Sequence, residues 1–150
     1  MSTPISTPST PTSTPAESAP FAWPVRVYYE DTDAQGVVYY ANYFKFMERA
    51  RTEWIRSLGV EQDVLLDEQR RMFVVVDMHA EFHRPARFND QLVVTAGLEH
   101  RARASFVIRQ EIRRGRLDGE LLVGGTVRAA YLDADSMKPA KLPDSLFARD

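Results

Sequence analysis

The stretch that decides the fold runs from Val25 to Trp54 and reads VRVYYEDTDAQGVVYYANYFKFMERARTEW. Its first part alternates apolar and polar side chains, and this period of two predicts a strand over residues 23–31. Its last part repeats apolar residues at helical spacing and predicts an amphipathic helix over residues 43–58. The segment therefore predicts a strand, a polar turn that contains Gly36, and one long hydrophobic helix.

The two ends of this helix carry capping residues. Asn42 is a candidate N-cap, and Gly59 follows the last apolar residue, where glycine commonly ends a helix. Arg49 and Glu53 are spaced to form an i,i+4 ion pair on the wetter face. The helix is thus expected to begin after Asn42 and to end before Gly59.

Alternating apolar residues predict four further strands downstream, separated by turns of hairpin length. The last three of these strands should form an antiparallel meander. One strand, one long helix and then four strands favour an α+β domain, in which a single antiparallel five-stranded sheet curls around the helix. The four predicted strands cover residues 72–83, 92–98, 106–112 and 121–132.

Composition limits the classes of function that need to be considered. The chain has 150 residues, a formal net charge of -2 and no cysteine, which excludes disulfides and thiolate catalysis and makes nucleic acid a poor partner. Residues 1–20 are rich in Ser, Thr and Pro and predict a disordered tail ahead of one domain over residues 21–150. Neither a secretory signal nor a membrane-spanning stretch is evident, so a cytoplasmic location is expected.

Three carboxylates, on Glu30, Asp31 and Asp33, lie within four residues just before the helix. A solvated acidic turn is one interpretation. A calcium loop is a poor match, because the twelfth position counted from Asp31 is Asn42 instead of a bidentate glutamate. A carboxylate ahead of a helix N-terminus also suits attack on a carbonyl, since the free backbone N–H groups and the helix dipole can receive the developing oxyanion.

A second polar group lies on the strand predicted over residues 72–83. Asp77, His79, Glu81 and His83 share one strand face by alternation and could chelate a metal, although a polar solvent face or a subunit contact explains them equally well. The motifs of serine hydrolases, P-loop proteins and dinucleotide-binding proteins are missing from the sequence. No metal and no cofactor are therefore expected.

With these residues in view, the segment from Val25 to Trp54 resembles the hotdog-fold acyl-CoA thioesterases. It is most similar to the YbgC-like group, which is associated with the Tol-Pal system, and to the related hydroxybenzoyl-CoA thioesterases. The segment FHRPARFND from Phe82 to Asp90 resembles the same family, so that the likeness extends over roughly residues 21–142. The resemblance implies hydrolysis of an acyl-CoA thioester to a free acid and CoA.

The resemblance also assigns roles within the motif. It implies that Asp33 is the catalytic carboxylate, as general base or as nucleophile, and that backbone amides near Tyr40 and Ala41 polarise the thioester carbonyl. Many YbgC-like members carry a histidine where this chain has Tyr40, whereas the hydroxybenzoyl-CoA group carries a tyrosine; Tyr40 is taken as a second catalytic residue that orients substrate or water. The residues expected to contact substrate are Gly36, Val37, Tyr39 and Ala41.

The same resemblance implies a homo-oligomer, dimer or tetramer, with helices packed side by side and active sites at the subunit interface. Acyl carrier protein is a further candidate partner. Two alternatives stay open: a dehydratase-type enzyme, and a non-catalytic acyl-binding or adaptor module that contacts acyl carrier protein or an envelope complex. The first would need a histidine beside the helix, but His79, His83 and His100 are predicted on or near strands. Acyl chain length is not decided by the sequence.

Overall fold

A computed structural model describes residues 20–147 of the chain. The predicted tail over residues 1–20 lies outside this range apart from Pro20, so its disorder, like the domain boundary, stays a prediction. The described elements are β1 (Phe21–Arg26), a 3-10 turn (Tyr29–Asp31), α1 (Tyr40–Ser57), α2 (Gln62–Gln69), β2 (Arg71–Phe82), β3 (Gln91–Arg101), β4 (Ser105–Arg114) and β5 (Leu121–Asp133).

The five strands form one antiparallel sheet in the order β1-β3-β4-β5-β2. Strands β3, β4 and β5 are neighbours in both sequence and space, which confirms the predicted meander. Strand β1 pairs with β3 and strand β2 pairs with β5, so β1 and β2 are the two edges. The α+β prediction of a five-stranded antiparallel sheet with one long helix is confirmed.

Helix α1 packs its apolar face on the sheet and contacts β3 and β1 most extensively. Phe46 and Met47 are fully buried, and Trp54 is buried further along the helix, as expected for core side chains, while Phe44 is half-buried. The buried side chains divide into two clusters. One surrounds the first half of α1 and includes residues of β1, the start of β3, the end of β4 and the first half of β5. The other surrounds the last turns of α1 and includes residues of the first half of β4, the end of β5 and the C-terminal segment.

The N-terminus of α1 differs from the expected one. The helix begins at Tyr40 with Tyr39 as its N-cap, so Asn42 is the third helical residue and the prediction that it is the N-cap is wrong. The Asn42 side-chain amide instead donates to the carbonyl oxygen of Asp31 (2.9 Å). The C-terminus agrees better with expectation, because Gly59 adopts a positive φ of 95° just after the C-cap Leu58.

Other local expectations are also corrected. The first strand stops at Arg26, because the chain turns into the 3-10 segment instead of continuing to residue 31. Helix α2 was not predicted; its short amphipathic pattern is weak and none of its residues is fully buried. The sequence spacing predicted an ion pair between Arg49 and Glu53. In the structure, Glu53 pairs with Arg56 instead (2.6 Å).

Strand β2 carries a β-bulge between Val75 and Asp77. The bulge interrupts the alternation of the strand, and Val76 is 58% exposed although its side chain is apolar. Val75 is exposed as well, and β2 has no neighbour on its outer side among residues 20–147. This edge therefore presents apolar side chains together with unpaired backbone groups.

Candidate active site

The acidic turn between β1 and α1 is a tight loop closed by backbone hydrogen bonds. The N–H of Asp33 donates to the carbonyl oxygen of Val37 (2.8 Å), and the N–H of Gly36 donates to the carbonyl oxygen of Asp33 (3.0 Å). Thr32 and Val38 form an antiparallel bridge at the base of the loop. Gly36 has a φ of 82°, a conformation that costs a residue with a side chain about 1–2 kcal/mol. The loop thus holds the backbone of Asp33 against Val37, shortly before the first residue of α1.

The three carboxylates of this turn have different environments. One carboxylate oxygen of Asp31 accepts the N–H of Tyr28 (2.8 Å), so this side chain is used to fold the 3-10 turn. Glu30 is exposed. The Asp33 carboxylate is half-buried and accepts the N–H groups of Gln35 (2.9 Å) and Val37 (3.4 Å), and within residues 20–147 it pairs with no cation. Asp33 is therefore held in place yet retains lone pairs for a reactant.

The N-terminus of α1 is open. Its N-cap Tyr39 makes no side-chain capping bond, and its first turn contains no acidic residue. In the part of the chain that the structure describes, the N–H groups of Tyr40 and Ala41 find no acceptor, whereas that of Asn42 donates to the carbonyl oxygen of Tyr39 (2.8 Å). Free N–H groups at the positive end of a helix dipole attract a negative charge.

Tyr40 lies at the edge of an aromatic group beside this helix start. Its ring is 57% exposed and meets Phe44 and Phe82 edge-on, at centroid distances of 6.4 and 6.3 Å. A pocket of about 260 Å³ opens here. Its lining includes His83, the residue that follows β2, although strand periodicity placed His83 within the strand. The residues that line it are Val38, Tyr40, Tyr43, Phe82, His83, Arg84 and Pro85.

The expected substrate-contact residues all lie around the turn and the helix start. Val37 donates to the Asp33 carboxylate, Gly36 sits at the exposed tip of the loop, and Ala41 is half-buried in the first turn of α1. The Tyr39 ring is exposed and lies 5.0 Å from that of Tyr40. The structure thus brings the sequence-derived residues into one region of the surface.

The loop between β2 and β3, residues 83–90, is the part of the site that sequence reasoning missed. It packs against the acidic turn: the N–H of Val38 donates to the carbonyl oxygen of Ala86 (2.8 Å), and Val37 bridges Arg87. The N–H of Ala86 donates to the buried hydroxyl of Tyr43 (2.9 Å), and burial raises the pKa of that phenol. The sequence distinguishes the segment from Phe82 to Asp90 only by its family resemblance.

The polar side chains along one face of β2 contact one another or the neighbouring strand β5. Asp77 pairs with Arg128 (3.4 Å), and His79 and His83 approach Glu81 at 3.3 and 3.9 Å. Residues 20–147 contain no group of three His, Asp or Glu side chains arranged to hold a metal ion. Of the helices described, none combines the length and the apolar character needed to span a membrane.

Together, the sheet, the long helix and the acidic turn define a hotdog-fold enzyme with a carboxylate beside an open helix N-terminus. The sequence pattern of the thioesterase superfamily matches residues 35–121. The chain belongs to this superfamily and is a thioester hydrolase.

Named relatives agree with this assignment. The chain is 44% identical over 128 residues to the acyl-CoA thioester hydrolase YbgC of Escherichia coli O6:H1, with 85% of this chain and 93% of that protein covered. It is 41% identical to the acyl-CoA thioesterase YbgC of Haemophilus influenzae, with 85% and 92% covered. The crystal structure of a probable thioesterase from Bartonella henselae superposes with a TM-score of 0.77 at 34% identity, covering 83% of this chain and all of that one.

Proposed function

We propose that the protein hydrolyses acyl-CoA thioesters to a free carboxylic acid and CoA, with Asp33 as the catalytic carboxylate. The observation that carries this proposal is the half-buried Asp33 carboxylate, which has only backbone N–H partners in its own turn, beside the uncapped start of α1. The YbgC relatives, named as acyl-CoA thioesterases, support the choice of substrate.

In the reaction, Asp33 either removes a proton from the attacking water or attacks the carbonyl carbon itself. In the first route the water oxygen bonds to the carbonyl carbon, the C–S bond breaks, and the CoA thiolate leaves and is protonated. In the second route a carboxylate oxygen of Asp33 bonds to the carbonyl carbon, the C–S bond breaks and the CoA thiolate leaves and is protonated; water then hydrolyses the acyl–Asp33 anhydride to the free acid and the Asp33 carboxylate. General base catalysis contributes roughly 10²–10⁴ in rate, which suits a thioester because it is already an activated electrophile.

The backbone N–H groups of Tyr40 and Ala41 stabilise the oxyanion that develops on the carbonyl oxygen. Both lack an acceptor among the described residues and lie at the positive end of α1. Removing one such donor typically costs about 3 kcal/mol of transition-state stabilisation. The exposed Tyr40 ring orients the substrate or the attacking water, and Gly36, Val37 and Tyr39 complete the contacts.

We also propose a homo-oligomer, dimer or tetramer, in which helices lie side by side and the active site is completed at the interface. The apolar, unpaired edge of β2, with Val75 and Val76 exposed, supports a contact with a second copy. A cytoplasmic location, a link to the Tol-Pal system and acyl carrier protein as a partner follow from the family resemblance alone. We likewise propose that residues 21–150 form a single domain.

The test is steady-state thiol release from a panel of short aliphatic, long aliphatic and aromatic acyl-CoAs, with an acyl–acyl carrier protein in parallel. Wild type is compared with Asp33→Asn and with Glu30→Gln, which removes an exposed charge three residues earlier. We expect hydrolysis of at least one acyl-CoA class by wild type and by Glu30→Gln, and loss of about 10²-fold or more in Asp33→Asn. Absence of turnover of every acyl-CoA by wild type would refute the proposal.

A further inference from the structure

Loop 83–90 contacts the residues that follow Asp33. Val38 donates its N–H to the carbonyl oxygen of Ala86 (2.8 Å), and Val37 forms an antiparallel bridge with Arg87. The N–H of Val37 is also one of the two donors to the Asp33 carboxylate (3.4 Å). The position of loop 83–90 therefore fixes one of the groups that orient Asp33.

The same loop is attached to the first turns of α1. The N–H of Ala86 donates to the hydroxyl oxygen of Tyr43 (2.9 Å), and both residues are buried. Tyr43 is the fourth residue of the helix whose first N–H groups are open. Loop 83–90 thus sets the acidic turn and the helix start at a fixed separation.

One ion pair holds the loop in its conformation. A carboxylate oxygen of Asp90 accepts the N–H of Arg87 (2.9 Å) and pairs with the guanidinium of Arg114 from β4. The Arg114 guanidinium also donates to the carbonyl oxygen of Pro85 (3.0 Å). Both side chains are mostly shielded from solvent, with 23% exposure for Asp90 and 33% for Arg114, so the pair is screened less than an exposed one.

We propose that Asp90 and Arg114 are positioning residues for catalysis, which act on Asp33 through loop 83–90. This inference rests on the proposed role of Asp33 and adds two residues, from two other elements, to the machinery. A displacement of about 1 Å of a catalytic group can cost roughly 10²-fold in rate. Loss of the Asp90 carboxylate removes the acceptor of the Arg87 N–H. It also leaves the Arg114 guanidinium with only Glu120 and the carbonyl oxygen of Pro85 as partners, so the loop is held less firmly.

The main test compares Asp90→Ala with two matched variants. Asp90→Asn keeps an oxygen that can accept the N–H of Arg87, and Asp135→Ala removes the carboxylate of a second ion pair, Arg70–Asp135 (2.9 Å), near the far end of β5. We expect kcat for acyl-CoA hydrolysis to fall about 10- to 100-fold in Asp90→Ala with KM changed less than about threefold. Asp90→Asn recovers part of the loss, and Asp135→Ala retains wild-type kcat.

A local readout separates positioning from general destabilisation. Amide hydrogen exchange of Val37 and Val38 should become faster in Asp90→Ala, while amides in the centre of β4 and β5 keep their protection. Uniform loss of protection would instead mean global destabilisation and would overturn the proposal. If Asp90→Ala does not fold, Arg114→Lys is used in its place. Lysine keeps the positive charge but lacks the planar guanidinium that bonds to Asp90 and to the carbonyl oxygen of Pro85 at the same time. We expect this variant to lose kcat to an intermediate extent.

Two further outcomes would overturn the proposal: a kcat for Asp90→Ala within about twofold of wild type, or an equal loss in Asp135→Ala. Asp33→Asn, measured in parallel, distinguishes the failures. If Asp33→Asn keeps its activity, the catalytic role of Asp33 and the positioning role fail together. If Asp33→Asn is inactive while Asp90→Ala is fully active, only the positioning role fails.

Discussion

The two ends of helix α1 are built differently. At its C-terminus, the N–H groups of Leu58 and Gly59 bond back to carbonyl oxygens of the last turn, and Arg56 pairs with Glu53 and Glu61 at 2.6 and 3.0 Å. At its N-terminus, no side chain caps the helix, and the described residues supply no acceptor for its first two N–H groups.

This difference separates stability from function within one helix. The C-terminal end satisfies its backbone groups and places a cation where the dipole favours one. The N-terminal end forgoes a capping bond, which is usually worth about 0.5–2 kcal/mol, and keeps two donors available for a ligand. Substitutions at the two ends should therefore have different effects on stability and on activity.

The largest effect should come from capping the open end. Tyr39→Asp places a carboxylate at the N-cap, where it can accept the N–H of Ala41 or Asn42. We expect a higher melting temperature and a loss of about 10²-fold in kcat, because the added carboxylate competes with the oxyanion for its donors.

Thermal unfolding and thiol release, measured on the same preparation, check this prediction. Tyr39→Phe is the control, because it keeps the ring and adds no acceptor. A stabilised Tyr39→Asp with full activity would mean that the open amides do not serve the reaction.

Two glycines, one before α1 and one after it, allow a closer comparison of the two ends of the helix. Gly36 and Gly59 have φ values of 82° and 95°, and an added Cβ would meet no atom within 4 Å at either position. Alanine should therefore cost each position a similar backbone strain of about 1–2 kcal/mol. Activity should separate them: we expect about a tenfold loss of kcat in Gly36→Ala, which distorts the Asp33 turn, and none in Gly59→Ala.

Denaturant unfolding of both variants measures the loss of stability, and steady-state kinetics measures the loss of kcat. Equal losses of kcat would show that activity follows overall stability instead of the geometry of the turn.

A smaller effect is expected at Asn42, which ties the first turn of α1 to the carbonyl oxygen of Asp31. Asn42→Ala should lower the free energy of unfolding by about 1 kcal/mol and reduce kcat a few-fold, since it loosens the helix start relative to the acidic turn. Asn42→Asp tests the direction of this bond, because a carboxylate cannot donate to the Asp31 carbonyl. Wild-type behaviour of both variants would mean that this link does not position the helix.

The smallest effect should follow from Arg56→Ala at the closed end. Its ion pairs with Glu53 and Glu61 raise the pKa of the guanidinium but lie at the surface, where solvent screens them. We expect a slight drop in melting temperature that disappears at high salt, with unchanged kcat. A loss of activity in this variant would remove the functional distinction between the two ends.

Much of the fold could be read from hydrophobic periodicity. The strand order of the meander, the single long helix and the burial of Phe46 and Trp54 all follow from which side chains must leave water. The start of α1 could not be read in this way, because Tyr39 and Tyr40 are not capping residues and Asn42 is. An uncapped helix start is a departure from local preference, and such departures concentrate at functional sites.

The site was only partly accessible from the sequence. Asp33 and the residues around it are neighbours along the chain, so one motif carries them. Loop 83–90 lies some fifty residues downstream, and its contacts with Val37, Val38 and Tyr43 depend on sheet pairing that no local pattern encodes. For the same reason, the sequence did not indicate that His83 and Tyr40 line one pocket.

The most direct test of the central claim is to separate binding from turnover in Asp33→Asn. Calorimetric titration with the acyl-CoA that wild type hydrolyses best measures binding, and single-turnover thiol release on the same sample measures chemistry. The predicted result is binding within a few-fold of the wild-type affinity with hydrolysis slowed by about 10²-fold or more. Hydrolysis at a wild-type rate by folded Asp33→Asn would contradict the assignment of Asp33 as the catalytic carboxylate.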